Sequence, residues 1–160
     1  ASIGLETQGL TLQYTTNIQS IDTAIQTIEK ITDNMQFKNL REELFHSIVS
    51  AVHFIADYEE RVRELLTPDD AEVFKAFLYV NNQLKHDVEL EMFYYDVAGS
   101  MFPIFFPMRF GEPGVNWRDF PDNGNKRARG KREHYEKYLM NKDIGTTLKS
   151  IKEIIAKYID

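Results

Sequence analysis

Apolar residues recur at Tyr14, Ile18, Ile21, Ile25 and Ile28 in alternating steps of four and three, a spacing that predicts a first helix from about Thr11 to Thr32. Its isoleucines and threonines are poor helix formers, so packing must hold it. The pattern returns at Phe37, Leu40, Leu44, Ile48, Ala51, Ile55, Tyr58, Val62 and Leu65 and predicts a second helix to about Leu66. At 1.5 Å per residue this helix would be roughly 45 Å long, the spine of a bundle. Thr67, Pro68, Asp69 and Asp70 then supply a capping hydroxyl, a first-turn proline and two acids at the positive end of a new helix dipole. The third helix carries Val73, Phe77, Val80, Leu84 and Val88 on one face and is expected to run to about Val97, ahead of Gly99.

Between residues 99 and 130 the periodicity stops. Pro103, Pro107, Pro113, Pro121 and five glycines break any helix there, while Phe102, Phe105, Phe106, Phe110 and Trp117 still need burial. An ordered insert packed on the bundle, with room for a short hairpin, meets both demands. A helix resumes from Lys131 through Tyr138, and Ile144, Leu148, Ile151, Ile155 and Tyr158 predict a last amphipathic helix starting near Asp143. The expected fold is all-α: one domain over residues 1–160, a four-to-five-helix up-and-down bundle with an irregular, aromatic- and Pro/Gly-rich insert before the last helices.

Composition narrows the chemistry. A chain of 160 residues with 42% hydrophobic and 28% charged residues is globular rather than disordered, and can bury about two thirds of its unfolded surface. With no cysteine, disulfides, thiolate metal sites and cysteine nucleophiles are excluded, which fits a cytoplasmic setting. The cluster near Met101 to Met108 is too short and too proline-rich to span a bilayer, so no membrane segment and no export signal is expected. Net charge is −6, so any nucleic-acid contact needs a local basic patch.

The stretch Asn81, Asn82, Gln83, Leu84, Lys85, His86, Asp87 concentrates protonatable and hydrogen-bonding groups inside the third helix. At 100° per residue, Asn81 flanks the core stripe, and Asn82 and His86 project nearly opposite it, with Tyr79, Leu90 and Phe93. A solvated face would not carry those aromatics. Either the insert covers this face or a second copy of the chain meets it across a symmetric interface. His86 is then either a hydrogen-bonded interface residue or a group with chemistry.

Asn81 to Asp87, on the third helix of an α-bundle, resembles the HEPN superfamily of small helical RNA- and nucleotide-associated domains. The family signature is an arginine, four to six intervening residues and a histidine, often with a polar residue directly after the arginine. His86 matches the histidine, Asn82 the polar residue, and Asn81 stands where the arginine would be. The resemblance implies a homodimer that joins two motifs into one metal-independent ribonuclease site, without cofactor, in a toxin, stress or phage-defence setting. It implies His86 as general base or acid toward an RNA 2′-hydroxyl, Lys85 as the phosphate-facing charge, and Asn81 and Asn82 as positioning groups. An asparagine lacks the fixed charge of a guanidinium. The alternative is therefore a non-catalytic domain that docks a protein partner, such as an antitoxin or regulator.

Two further patterns bear on function. Glu43 and His46 have the spacing of a carboxylate and histidine pair from a di-iron bundle, but no second pair accompanies them, and His46 and His53 point away from the core stripe with Glu42, Asp57 and Glu60. A solvated polar stripe is the better account, and no metal site is expected. Lys126, Arg127, Arg129, Lys131 and Arg132 put five positive charges in seven residues. They suit RNA phosphates, or else pair with carboxylates of the same chain. Trp117 and Phe120, just upstream, either stack on a base or pack on the bundle.

Overall fold

Thr67 caps a helix as its sequence requires: its hydroxyl accepts the Asp70 amide at 3.3 Å and its carbonyl accepts the Ala71 amide at 2.9 Å. In the computed structural model, which describes residues 18–30, 37–86, 93–96, 114–120 and 129–158, this cap opens the central helix of an all-α bundle. The described elements are helix α1 over 18–30, α2 (Phe37–Val62), a 3-10 turn (Arg63–Leu65), α3 (Pro68–His86), β1 (Phe93–Asp96), β2 (Gly114–Trp117), α4 (Arg132–Tyr138) and α5 (Ile144–Ala156).

α2 and α3 form a hairpin through the short connection at 63–67. The α2 stripe is as the periodicity predicts, with Leu44, Ile48, Ala51, Ile55, Tyr58 and Val62 fully buried. It stops there. Leu65 is 61% exposed, because the 3-10 turn changes the residue period and swings it off the stripe. Isoleucines 21, 25 and 28 of α1 are buried, and Lys152 and Lys149 of α5 pair with Asp22 and Glu29 across that contact. α5 contributes Ile144, Leu148, Ile151 and Ile155 to the core, and Tyr58 of α2 donates to the Ile155 carbonyl at 3.4 Å. Asp143 caps α5 by accepting the Thr146 amide at 2.7 Å.

α3 does not continue to Val97: it is described as far as His86, and Phe93–Asp96 is a strand. The run Phe93, Tyr94, Tyr95 is β-favouring, and β2 offers it a ladder, Phe93 opposite Trp117 through Asp96 opposite Gly114 in antiparallel register. The hairpin expected inside the insert is thus a pairing between the insert and the chain before it. β2 is tied onto the bundle by the amide and carbonyl of Trp117, which bond Lys142 and Asn141, and by its indole N–H, which donates to Thr147 Oγ1 at 2.9 Å. The predicted burial of Phe102, Phe105, Phe106 and Phe110, and the helical pattern at Tyr14, lie outside the described residues. Among the described residues, no helix is long and apolar enough to cross a membrane.

Candidate functional site

The buried face of α3 is broader than the predicted stripe. Phe77 and Val80 are fully buried, Val73 and Leu84 only partly, while Phe74, Ala76, Tyr79 and Gln83 are also buried. The cause is that α3 packs against α2, α4 and α5, and Phe120 at the end of the insert stacks on it as well. Tyr79, which the helical wheel assigns to the face opposite the core stripe, is 2% exposed. It stacks on Phe120 with centroids 5.8 Å apart and tilts against Tyr135 at 5.3 Å. Phe120 and Tyr135 in turn pack at 4.7 Å, and the Tyr135 hydroxyl donates to the Arg118 carbonyl. Burial pushes the Tyr135 phenol well above the ordinary tyrosine range. At Tyr79, therefore, the insert covers this face of the helix.

That cover ends within a turn. Asn81 and Asn82 are half-buried and Lys85 is exposed, while Gln83 between them turns into the core. His86 is the last residue of α3, and its side chain and Asp87 lie outside the described residues. The last turns of α3 thus carry Asn81, Asn82 and Lys85 along one open edge, about 9 Å beyond Tyr79 at the far end.

The basic segment reaches α3 at a different level. Gly130 is buried against the backbone of Lys75 and Tyr79, so Arg129 and Lys131 are set beside the middle of the helix. Arg129 Nη2 donates to Glu59 Oε1 of α2 at 2.9 Å. Arg132 donates to Asp119 at 2.5 Å, to Glu136 at 2.8 Å and to the Phe120 carbonyl at 2.5 Å. Its guanidinium is held above the ordinary arginine range, chiefly by Asp119 and further by Tyr79 and Glu136, against the opposing effect of burial. Lys131 precedes α4, its amide donating to His134 Nδ1 at 3.3 Å. Lys126 and Arg127 lie outside the described residues. The described basic residues thus meet α3 at the level of Lys75 and Tyr79, short of its polar end.

Glu59 and Arg63 were not singled out by the sequence. Glu59 is 1% exposed and takes a two-toothed contact from Arg63, Nε to Oε1 and Nη2 to Oε2, both at 2.9 Å. Their i,i+4 spacing, beside Tyr58 and Val62 of the core stripe, is the signal that finds them. Glu43, His46 and His53 are exposed, and His53 faces Asp57 at 3.6 Å. Among the described residues no three metal-binding side chains converge. Trp117 and Phe120 are core residues, 0% and 3% exposed, and offer no ring to a base.

Compared with known proteins, the chain matches no family model, no curated protein and no solved structure.

Proposed function

We propose that the chain is a HEPN-like RNA- or nucleotide-associated domain acting in the cytoplasm, with the polar C-terminal end of α3 as its ligand-facing surface. The observation that carries this reading is the break in cover along α3: Tyr79 is sealed, whereas Asn82, one turn on, is half-buried and Lys85 is exposed. A helix end that serves only packing gains nothing from three amides, an ammonium and an imidazole in six residues. Here His86 exchanges a proton with an RNA 2′-hydroxyl, Lys85 faces the phosphate, and Asn81 and Asn82 position it. Two copies of the chain bring two such ends together.

The test is incubation of purified protein with mixed RNA in chelator, for wild type, Lys85→Ala and His86→Ala, with a light-scattering mass alongside. The expected result is metal-independent binding and cleavage by a dimer, with cleavage lost in His86→Ala and binding weakened in Lys85→Ala. Cleavage undiminished in His86→Ala overturns the catalytic assignment.

One observation favours a second reading. Asn81 brings no fixed charge, and Arg132 is engaged by Asp119 and Glu136. A non-catalytic domain that docks a protein regulator is consistent with this. It predicts a folded wild-type protein that neither binds nor cleaves the RNA.

A further inference from the structure

Arg63 and Arg129 converge on one buried carboxylate from two separate segments of the chain. Arg63 occupies both oxygens of Glu59, and Arg129 adds a third contact to Oε1, each at 2.9 Å. Glu59 is 1% exposed, but the side chains of Arg63 and Arg129 remain 35% and 44% exposed. Two guanidiniums therefore meet at a single carboxylate, and the formal charge of the group is +1 at its solvent side. Because both touch the same oxygen, the two guanidiniums are immediate neighbours. The two-toothed Arg63 contact alone neutralises Glu59. Arg129 is in excess of what the carboxylate requires, and among the described residues its other N–H groups have no hydrogen-bond acceptor.

From this we infer an oxyanion site that takes a phosphate group, with Arg63 and Arg129 as its donors and Glu59 as the positioning residue that holds the forks in place. Three features support it. Guanidinium N–H groups suit phosphate oxygens, and with Nε and Nη2 of Arg63 and Nη2 of Arg129 on Glu59, the Nη1 group of Arg63 and the Nε and Nη1 groups of Arg129 are left for one. Glu59 fixes both side chains in advance, so little rotamer freedom remains to be lost on binding. Gly130, wedged on α3, fixes the backbone of Arg129 as well. The acids Glu60 and Glu64 also stand in the field of Arg63, but both are exposed and their repulsion is screened by salt. The site is separate from the end of α3 and stands whether or not that end contacts RNA.

Thermal unfolding with inorganic phosphate, against sodium chloride at matched ionic strength, tests it. Phosphate is expected to raise the midpoint of the wild type above chloride. Arg129→Gln should abolish that rise while still folding, since Arg63 continues to neutralise Glu59; Lys85→Ala should retain it. Glu59→Gln, which removes the anion that holds the two guanidiniums in place, should lose most of the phosphate response. A merely structural ion pair predicts instead that phosphate gives the wild type no rise over chloride, whatever the variants do to the midpoint. Oligoribonucleotides with a 5′-phosphate or a 5′-hydroxyl then identify the source: at least tenfold preference for the former assigns a terminal phosphate, and equal binding that is lost in Arg129→Gln assigns the RNA backbone. An unchanged phosphate response in Arg129→Gln overturns the proposal.

Discussion

Gly130 lies against the backbone of Tyr79 so closely that a Cβ at position 130 would stand 2.4 Å from the Tyr79 nitrogen, with the Lys75 carbonyl oxygen also at 2.4 Å. The obstacle is backbone, which cannot rotate aside, so the segment carrying Arg129 and Lys131 is seated on α3 only because residue 130 has no side chain. Gly130→Ala is expected to destabilise the fold by about 1–3 kcal/mol, the range of overpacked interiors. Urea unfolding monitored by circular dichroism measures it, and a loss near zero would mean that the segment lifts away from α3 without cost.

The Glu59 cluster makes an unequal prediction for its two arginines. Arg63 supplies two of the three contacts to a carboxylate that has almost no access to water. Removing it leaves a buried charge under-neutralised, and Arg63→Ala should cost roughly 2 kcal/mol or more. Arg129→Ala removes one contact of a more exposed side chain and should cost about 1 kcal/mol or less. A double-mutant cycle with Glu59→Gln checks the order; equal losses for the two arginines would contradict it.

Asp70 ties the start of α3 to the end of the chain. Its carboxylate accepts the Tyr158 hydroxyl at 2.5 Å and Lys157 Nζ at 3.0 Å. Burial pushes the carboxyl up, but the bonds from Tyr158, Lys157 and Thr67 together outweigh it and hold Asp70 below its ordinary value of 3.8. A lowered folded-state value means that the unfolded chain takes up the proton first as pH falls. The stabilisation is therefore complete above the ordinary carboxylate range and drains away below it, as pH approaches the folded-state value. Unfolding free energies of wild type and Asp70→Asn should differ at pH 6, and the difference should shrink as pH falls below the ordinary aspartate range. A difference that stays constant with pH would show that the carboxylate's charge is not what matters.

Most of the helical frame was legible because each segment spoke for itself. The Thr67 cap and Pro68 marked the start of α3, the Asp143 cap that of α5, and the i,i+3 and i,i+4 steps at Leu44, Ile48 and Ile55 gave the core side of α2. What was not legible depends on partners distant in sequence. Phe93 to Asp96 reads as the tail of a helix until Gly114 to Trp117 is set beside it. Tyr79 has the position of an interface residue, and only Phe120 and Tyr135, more than forty residues on, show what covers it. The polar end of α3 was visible as a motif, and the structure adds the half-burial of Asn81 and Asn82 and the exposure of Lys85. The Arg129 contact with Glu59 spans 70 positions and leaves no local pattern.

Trp117 is the single tryptophan of the chain and fully buried, so its emission reports directly on whether β2 is docked. The indole donates to Thr147 Oγ1, and that hydroxyl also donates to the Ile144 carbonyl at 2.8 Å within the first turn of α5. Thr147→Val keeps the shape but removes the acceptor, leaving a buried indole N–H without its partner. The expected cost is about 1–3 kcal/mol, the desolvation penalty of an unsatisfied donor, whereas Thr147→Ser should restore most of it. Because β2 is also held through the Trp117 amide and carbonyl, the indole should stay buried in the folded Val variant. Its emission maximum in buffer should therefore match wild type, with only the urea midpoint lowered. A red-shifted emission before unfolding would instead show that the single hydroxyl of Thr147 holds the strand onto the bundle.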